Sequence, residues 1–196
     1  MYKKVAMEQP ADGSTVRPEA AHAAADRATV ERVLSGDMES FAELLQRHQS
    51  AVYSHMLRMV RRPEDAMDLT QESFVKAFKY LAHYNPRWAF KTWLMTIATN
   101  TAINFIQKRR LQTVSLEEVA EPAAAPTRSH AKELEPALLV ALGRLPEKAR
   151  AMFNLRYQEG LSLDEIGAML GESLANVKVT LHRARRFLKA ELERGL

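Results

Sequence analysis

Cysteine is absent from all 196 residues, which excludes disulfide frameworks, thiolate zinc sites and cysteine nucleophiles, and leaves no sign of an oxidising compartment. Glycine (7) and proline (8) are scarce, and no sustained alternation of apolar and polar residues occurs, so the chain is expected to be all-α. No apolar run approaches the roughly 18 residues of a membrane span, and no charged start followed by an apolar core marks a secretory signal. No membrane insertion and a cytoplasmic location are therefore expected. Acidic residues are missing from one long stretch, Ser73 to Arg110.

What is present is a globular composition, 46% hydrophobic and 27% charged, of a length that suits one large domain or two small ones. The net charge of +4 is unevenly placed: 0 over residues 1–30, +4 over 31–110, −3 over 111–135 and +3 over 136–196. Two basic blocks separated by an acidic connector fit two nucleic-acid-facing modules on a tether. The expected organisation is an Ala-rich mobile tail over 1–26, a helical module over 27–110, a flexible linker over 111–135, and a second helical module over 136–196.

In the first module, Asp37 suits the N-cap of a long helix carrying Phe41, Leu44, Leu45, Val52, Met56, Leu57 and Val60. His48 and His55 on that helix, lacking a second ligand pair, read as surface or helix-end residues, and no metal site is expected. Arg61-Arg62-Pro63 ends the helix and Pro63 starts the next, with Phe74, Val75, Phe78 and Leu81 facing inward. Asp68, Gln71 and Glu72 share its outer face at i, i+3 and i+4. From there to Arg110, Lys76, Lys79, Arg87, Lys91, Lys108, Arg109 and Arg110 are interleaved with eight aromatic rings. Cations with rings between them are what holding a phosphate backbone and stacking unpaired bases requires, although most of these rings also stand at core spacing. Asn85-Pro86 forces a turn, so the loop 83–90 carries Tyr84, Asn85, Arg87 and Trp88 between two helices.

The second module reads as a helix-turn-helix. Ser162 and Glu165 form a capping box, Gly171-Glu172-Ser173 makes the turn, and the last helix buries Val177, Leu181, Ala184 and Leu188. Its outer face carries Lys178, His182, Arg185, Arg186 and Lys189, with no acid between Ser173 and Ala190, as a helix lying in a DNA groove requires. Lys178 and His182 stand near its start, where base edges are reached; Arg185, Arg186 and Lys189 stand later, where phosphates are the expected partners.

The segments GDMESFAELLQRH, DLTQESFVKAF, FKTWLMTIATNTAINF, the Leu145-Pro146 pair before a helix, and GLSLDEIGAMLGESLANVKVTLHRAR, in that order, resemble extracytoplasmic-function sigma factors, group IV of the bacterial sigma factors. The resemblance implies two small helical domains, sigma region 2 and sigma region 4, joined by a flexible linker. It implies that Asp68, Gln71, Glu72 and Phe74 dock on the beta-prime clamp of core RNA polymerase, whose beta flap is the second contact. It implies that Tyr84, Asn85, Arg87, Trp88, Lys91, Asn100 and Asn104 hold the melted strand of the proximal promoter element, with Asn100 on a flipped base. Lys178, Val179, His182, Arg183, Arg185 and Arg186 then fall on positions that read the distal element as duplex. An anti-sigma factor that covers these surfaces is implied as a further partner, and no cofactor or catalytic residue is. The chain departs from the family in Ser173-Leu174-Ala175-Asn176-Val177, where Pro-x-Gly-Thr-Val is usual, and in Val179, where Ser is common.

Two other classes fit parts of the pattern. A helix-turn-helix repressor or activator needs no docking face at Asp68 and Glu72. An enzyme using Asp65, Asp68 and Glu72 as metal ligands lacks the second carboxylate-histidine set that such a centre needs.

Overall fold

The structure, a computed structural model, describes residues 18–113 and 136–194, and its regular elements among them are helical. The first half contains α1 (Pro18–Leu34), α2 (Phe41–Val60), α3 (Pro63–Lys79) and α4 (Phe90–Thr113), with 3-10 turns at Met38–Ser40 and Leu81–His83. The second half contains α5 (Pro136–Gly143), α6 (Glu147–Tyr157), α7 (Leu163–Leu170) and α8 (Leu174–Arg194).

Local chemistry sets the boundaries. Asp37 caps the 3-10 turn that leads into α2, its carboxylate accepting from the Ser40 amide at 3.3 Å. The α2 helix ends where Arg61 takes a left-handed conformation (φ 64) and its amide donates to Leu57 O at 2.9 Å. Arg62 is extended and Pro63 opens α3, where its missing N–H costs nothing.

The sequence placed a mobile tail over 1–26, but α1 already begins at Pro18. Asp26 is the reason: it is buried, ion-paired with Arg47, and 2.8 Å from the ring of His48. Residues 1–17 of that expected tail lie outside the described residues. The linker expected over 111–135 is shortened by α4, which runs to Thr113; its remainder, 114–135, also lies outside them.

Two core assignments on α3 are corrected. Val75 is 67% exposed and Phe78 43%, because the buried stripe runs through Ala66, Leu69, Ser73, Phe74 and Ala77, and both residues stand to one side of it. Phe78 instead rests edge-on against Phe41, with ring centroids 5.0 Å apart. Both α2 histidines are buried, not superficial: the inward stripe is Leu44, His48, Val52, His55, Met56 and Met59, so the rings occupy apolar positions.

The halves are not held apart. One apolar core joins Leu44, Met56, Phe90 and Leu94 of the first half to Met152, Leu155, Ile166 and Val177 of the second, and each such fully buried side chain contributes about 1.5–3 kcal/mol. A smaller cluster of Ala141, Leu142, Leu145, Ala184 and Leu188 ties α5 to α8. Arg150 of α6 crosses the divide, donating to the Met59 carbonyl at the end of α2 and to the carbonyls of Gly143 (2.9 Å) and Leu145 (3.1 Å). Arg58 of α2 meets Glu159, beyond the end of α6, at 2.8 Å.

Candidate nucleic-acid interface

The acidic face forms as the spacing requires. Asp68, Gln71 and Glu72 are exposed on α3 and, with Val75, Lys76 and Tyr80, line a shallow open depression. Glu72 pairs with Lys76 at 2.6 Å, an exposed i, i+4 pair that contributes little stability, and Lys76 Nζ also donates to Thr101 Oγ1 at 3.1 Å. Phe74 does not join them. It is 4% exposed and belongs to the core, so its assignment as a docking residue is corrected to a packing role that fixes the face above it.

The loop between α3 and α4 is held by a ring cluster. Phe90 is fully buried, with the centroids of Tyr84 and Trp93 at 5.8 Å and 5.6 Å, and the Tyr84 and Trp93 rings lie 5.4 Å apart. The Tyr84 hydroxyl donates to the Trp88 carbonyl at 2.6 Å, and the Asn85 side chain accepts from the Arg87 amide at 3.0 Å. Burial pushes the Tyr84 phenol above its ordinary pKa, so it stays a donor. These bonds fix the backbone while leaving Asn85, Arg87 and Trp88 exposed, with Trp88 at 39%. A ring exposed on a fixed loop is a ready platform for an unpaired base.

Asn100 and Asn104 are exposed one turn apart on α4. Lys91, on the same helix, does not join them. Nine residues at about 100° each place it half a turn round the helix from Asn100. There Lys91 Nζ lies 3.0 Å from the Glu159 carboxylate of the second half.

In the helix-turn-helix, Ser162 accepts from the Glu165 amide at 3.2 Å and the Glu165 carboxylate accepts from the Ser162 amide at 2.8 Å, the reciprocal capping box that the sequence shows. Gly171 ends α7 at φ 66 with its amide on Gly167 O. The unusual Ser173-Leu174-Ala175-Asn176 turn closes by side-chain capping: Ser173 Oγ accepts from the Asn176 amide at 3.2 Å, and Glu172 accepts from the Asn176 side chain at 2.6 Å and from Lys148 at 2.7 Å. The Lys148 bond, reinforced by Asn176, holds the Glu172 carboxyl below its ordinary range.

Val177, Leu181, Ala184 and Leu188 are buried, which leaves Lys178, Val179, His182, Arg183, Arg185 and Arg186 outside. These six line one open hollow. Arg156 and Tyr157, from the end of α6, line it too, and the sequence analysis did not single them out. Their signal was an exposed Arg-Tyr pair immediately before the Gly160 turn. Arg156 is held in place by donating to Leu161 O at 2.8 Å. Among the described residues no group of acids and histidines could hold a metal ion, and no helix is long and apolar enough to cross a membrane.

Comparison with known proteins bears on the whole arrangement. Residues 44–112 match the family described as Sigma-70 region 2, and residues 136–188 match Sigma-70, region 4. The chain is 37% identical over 158 residues to the ECF RNA polymerase sigma factor SigE of Mycolicibacterium smegmatis, covering 78% of this chain and 61% of SigE. It is 33% identical over 181 residues to the ECF RNA polymerase sigma-E factor of Salmonella typhimurium, covering 86% of this chain and 94% of that one. Its fold is similar to that of the sigma factor RpoE from Bartonella quintana, solved in complex with the anti-sigma factor NepR, with TM-score 0.70 and 22% identity over 79% of this chain and 98% of that one. With both regions matched in order, and a relative of this identity covered almost end to end, the chain belongs to the extracytoplasmic-function sigma factors, the initiation factors of bacterial RNA polymerase.

Proposed function

We propose that this chain carries core RNA polymerase to its promoters, with region 4 reading the distal (minus thirty-five) element as duplex and region 2 capturing one strand of the melted proximal (minus ten) element. One observation carries the reading: the basic hollow on α8 and the exposed Trp88 loop before α4 stand on different halves of the chain, and neither shares a residue with the acidic face of α3. Opening duplex costs a few kcal/mol for each unstacked base, and stacking on an exposed ring returns about 1–3 kcal/mol. Region 4 anchors, region 2 traps the strand once it opens, and Asp68, Gln71 and Glu72 attach both to the beta-prime clamp, with the beta flap as the second contact. The polymerase supplies the catalysis, so the chain needs no catalytic residue or cofactor, and it works in the cytoplasm. An anti-sigma factor is the partner that holds it inactive, a reading supported by family membership and by the NepR complex of a fold relative.

The test is Asn100→Ala with core polymerase and a cognate promoter. Loss of one base contact in the melted strand should lower open-complex formation about tenfold or more, while binding to core polymerase is retained. Equal transcription from both proteins would overturn the strand-capture role. Failure of the wild-type chain to pull down core polymerase would favour a helix-turn-helix repressor instead.

A further inference from the structure

The outer face of α8 carries one apolar side chain set among cations. Val179 is 46% exposed, more than Leu174 (39%) or Phe187 (36%), the other large apolar side chains exposed on that helix, and of the three it alone lines the hollow. Lys178 precedes it, and His182, Arg183 and Arg186 follow at i+3, i+4 and i+7, so they share its stripe. The fold gains nothing from this valine. Val177 supplies the buried contact of that turn, valine is a poorer helix former than alanine, and exposed methyl groups are unfavourable in water.

The cations and the valine need different partners. Among the described residues Lys178, Arg183, Arg185 and Arg186 form no ion pair, whereas Lys189 further along the helix meets Glu193 at 3.7 Å. Unpaired guanidinium and ammonium groups take phosphates. A valine neither donates nor accepts, so a phosphate, or a base edge made of donors and acceptors, gives it nothing. The apolar group that the major groove presents is the C5-methyl of thymine. Val179 is the sixth residue of α8, in the N-terminal part that reaches base edges, and its side chain leans back toward that end. Both of its methyl groups hang from one strongly preferred χ1 rotamer, so the contact costs little side-chain entropy. Leu163 and Tyr157 add apolar surface to the same hollow.

We propose that Val179 selects a thymine in the distal promoter element by packing against its C5-methyl group, so that one T·A pair is read by apolar contact among cations that hold the phosphates around it. The inference rests on the duplex-reading role of region 4 given above and adds the base, and the group on it, that this side chain reads.

The probe is a duplex promoter fragment drawn from a library with a randomised distal element and retained by holoenzyme assembled from the full chain and core polymerase. Each distal thymine is replaced in turn by deoxyuridine, which lacks only the methyl group. At one position the replacement should weaken holoenzyme binding about fourfold, as for one methyl group returned to water. Because no charge is altered, the loss should be the same at low and high salt. Val179→Ser, of similar helix propensity at an exposed position, should bind the thymine and deoxyuridine fragments equally, and the thymine preference at that position should vanish when the selection is repeated with it. Cytosine at the same position, with and without a 5-methyl group, gives a second arm: the methyl group should strengthen wild-type binding about fourfold and leave Val179→Ser unchanged. Indifference of the wild type to deoxyuridine at every distal thymine, or the same loss in Val179→Ser, overturns the proposal. Selection of a distal element with no dependence on methyl groups sinks the thymine contact alone, whereas retention that ignores the distal element sinks duplex reading by region 4 with it.

Discussion

His55 is fully buried, and its Nε2 shares a hydrogen bond with Thr99 Oγ1 at 3.0 Å while Nδ1 has no partner among the described residues. Burial, aided by the nearby Arg58 guanidinium, lowers its pKa from 6.5 to about 3, so the folded chain holds it neutral. Below pH 6.5 the unfolded chain takes up a proton that the folded chain refuses until about pH 3. The contribution is complete above pH 6.5 and drains away as the pH falls, by roughly 1 kcal/mol for each unit. Urea unfolding of wild type at pH 7.5 and pH 5.0 should therefore show a loss of about 1–2 kcal/mol that is reduced in His55→Gln, which keeps a partner for Thr99. Equal losses in both proteins would mean that the ring is protonated in the fold. The burial of His48 and His55 was legible in their spacing from Leu44, Val52 and Met56, but hydropathy argues against burying a histidine, and Asp26 and Thr99, which make burial tolerable, lie 22 and 44 residues away.

The helix-turn-helix turns on two glycines that act differently. At Gly171 the backbone is left-handed with open space around it, so Asn, which tolerates that conformation, should substitute at small cost. Gly167 lies inside α7, where alanine would ordinarily gain about 1 kcal/mol of helix propensity. A Cβ there, however, would stand 2.8 Å from the Glu172 carbonyl oxygen of the turn, and backbone cannot swing aside as a side chain can. Overpacking of this kind costs about 1–3 kcal/mol, so the clash outweighs the propensity gain. Gly167→Ala should lower the melting temperature and weaken binding to duplex carrying the distal element, whereas Gly171→Asn should change either only slightly. A higher melting temperature for Gly167→Ala would show that α7 and α8 do not approach as described. Elements of this kind were the most readable from sequence: capping box, turn glycine and basic outer face all form where the residues put them. The α3 stripe was misjudged at Val75 and Phe78 because an apolar residue beside a buried one looks buried until its partner helices are known.

At the scale of the molecule, the sequence announced two bodies but not their contact, because the apolar side chains of the shared core read as each body's own core, and the charged or amide side chains that cross read as surface when their partners are unknown. Arg150 is the main example, 8% exposed and lowered in pKa by its burial, with Arg61 nearby adding to the effect. It serves the carbonyls of Met59, Gly143 and Leu145, the first at the end of α2 and the others around the α5–α6 turn. Arg150→Met keeps much of the apolar stem and removes all three donations. Each buried carbonyl left without a donor costs about 1–3 kcal/mol, but parting the halves lets water reach them, so the penalty falls on the interface before it falls on either body. The variant should lose about 2–4 kcal/mol of stability, lowering the melting temperature by roughly 5–10 °C, and its calorimetric transition should broaden or split as regions 2 and 4 cease to melt together. Wild type, with one core running from Leu44 to Val177, should melt in a single step. A split transition in wild type, or an unchanged single one in Arg150→Met, would show that the two regions do not depend on this arginine for their union.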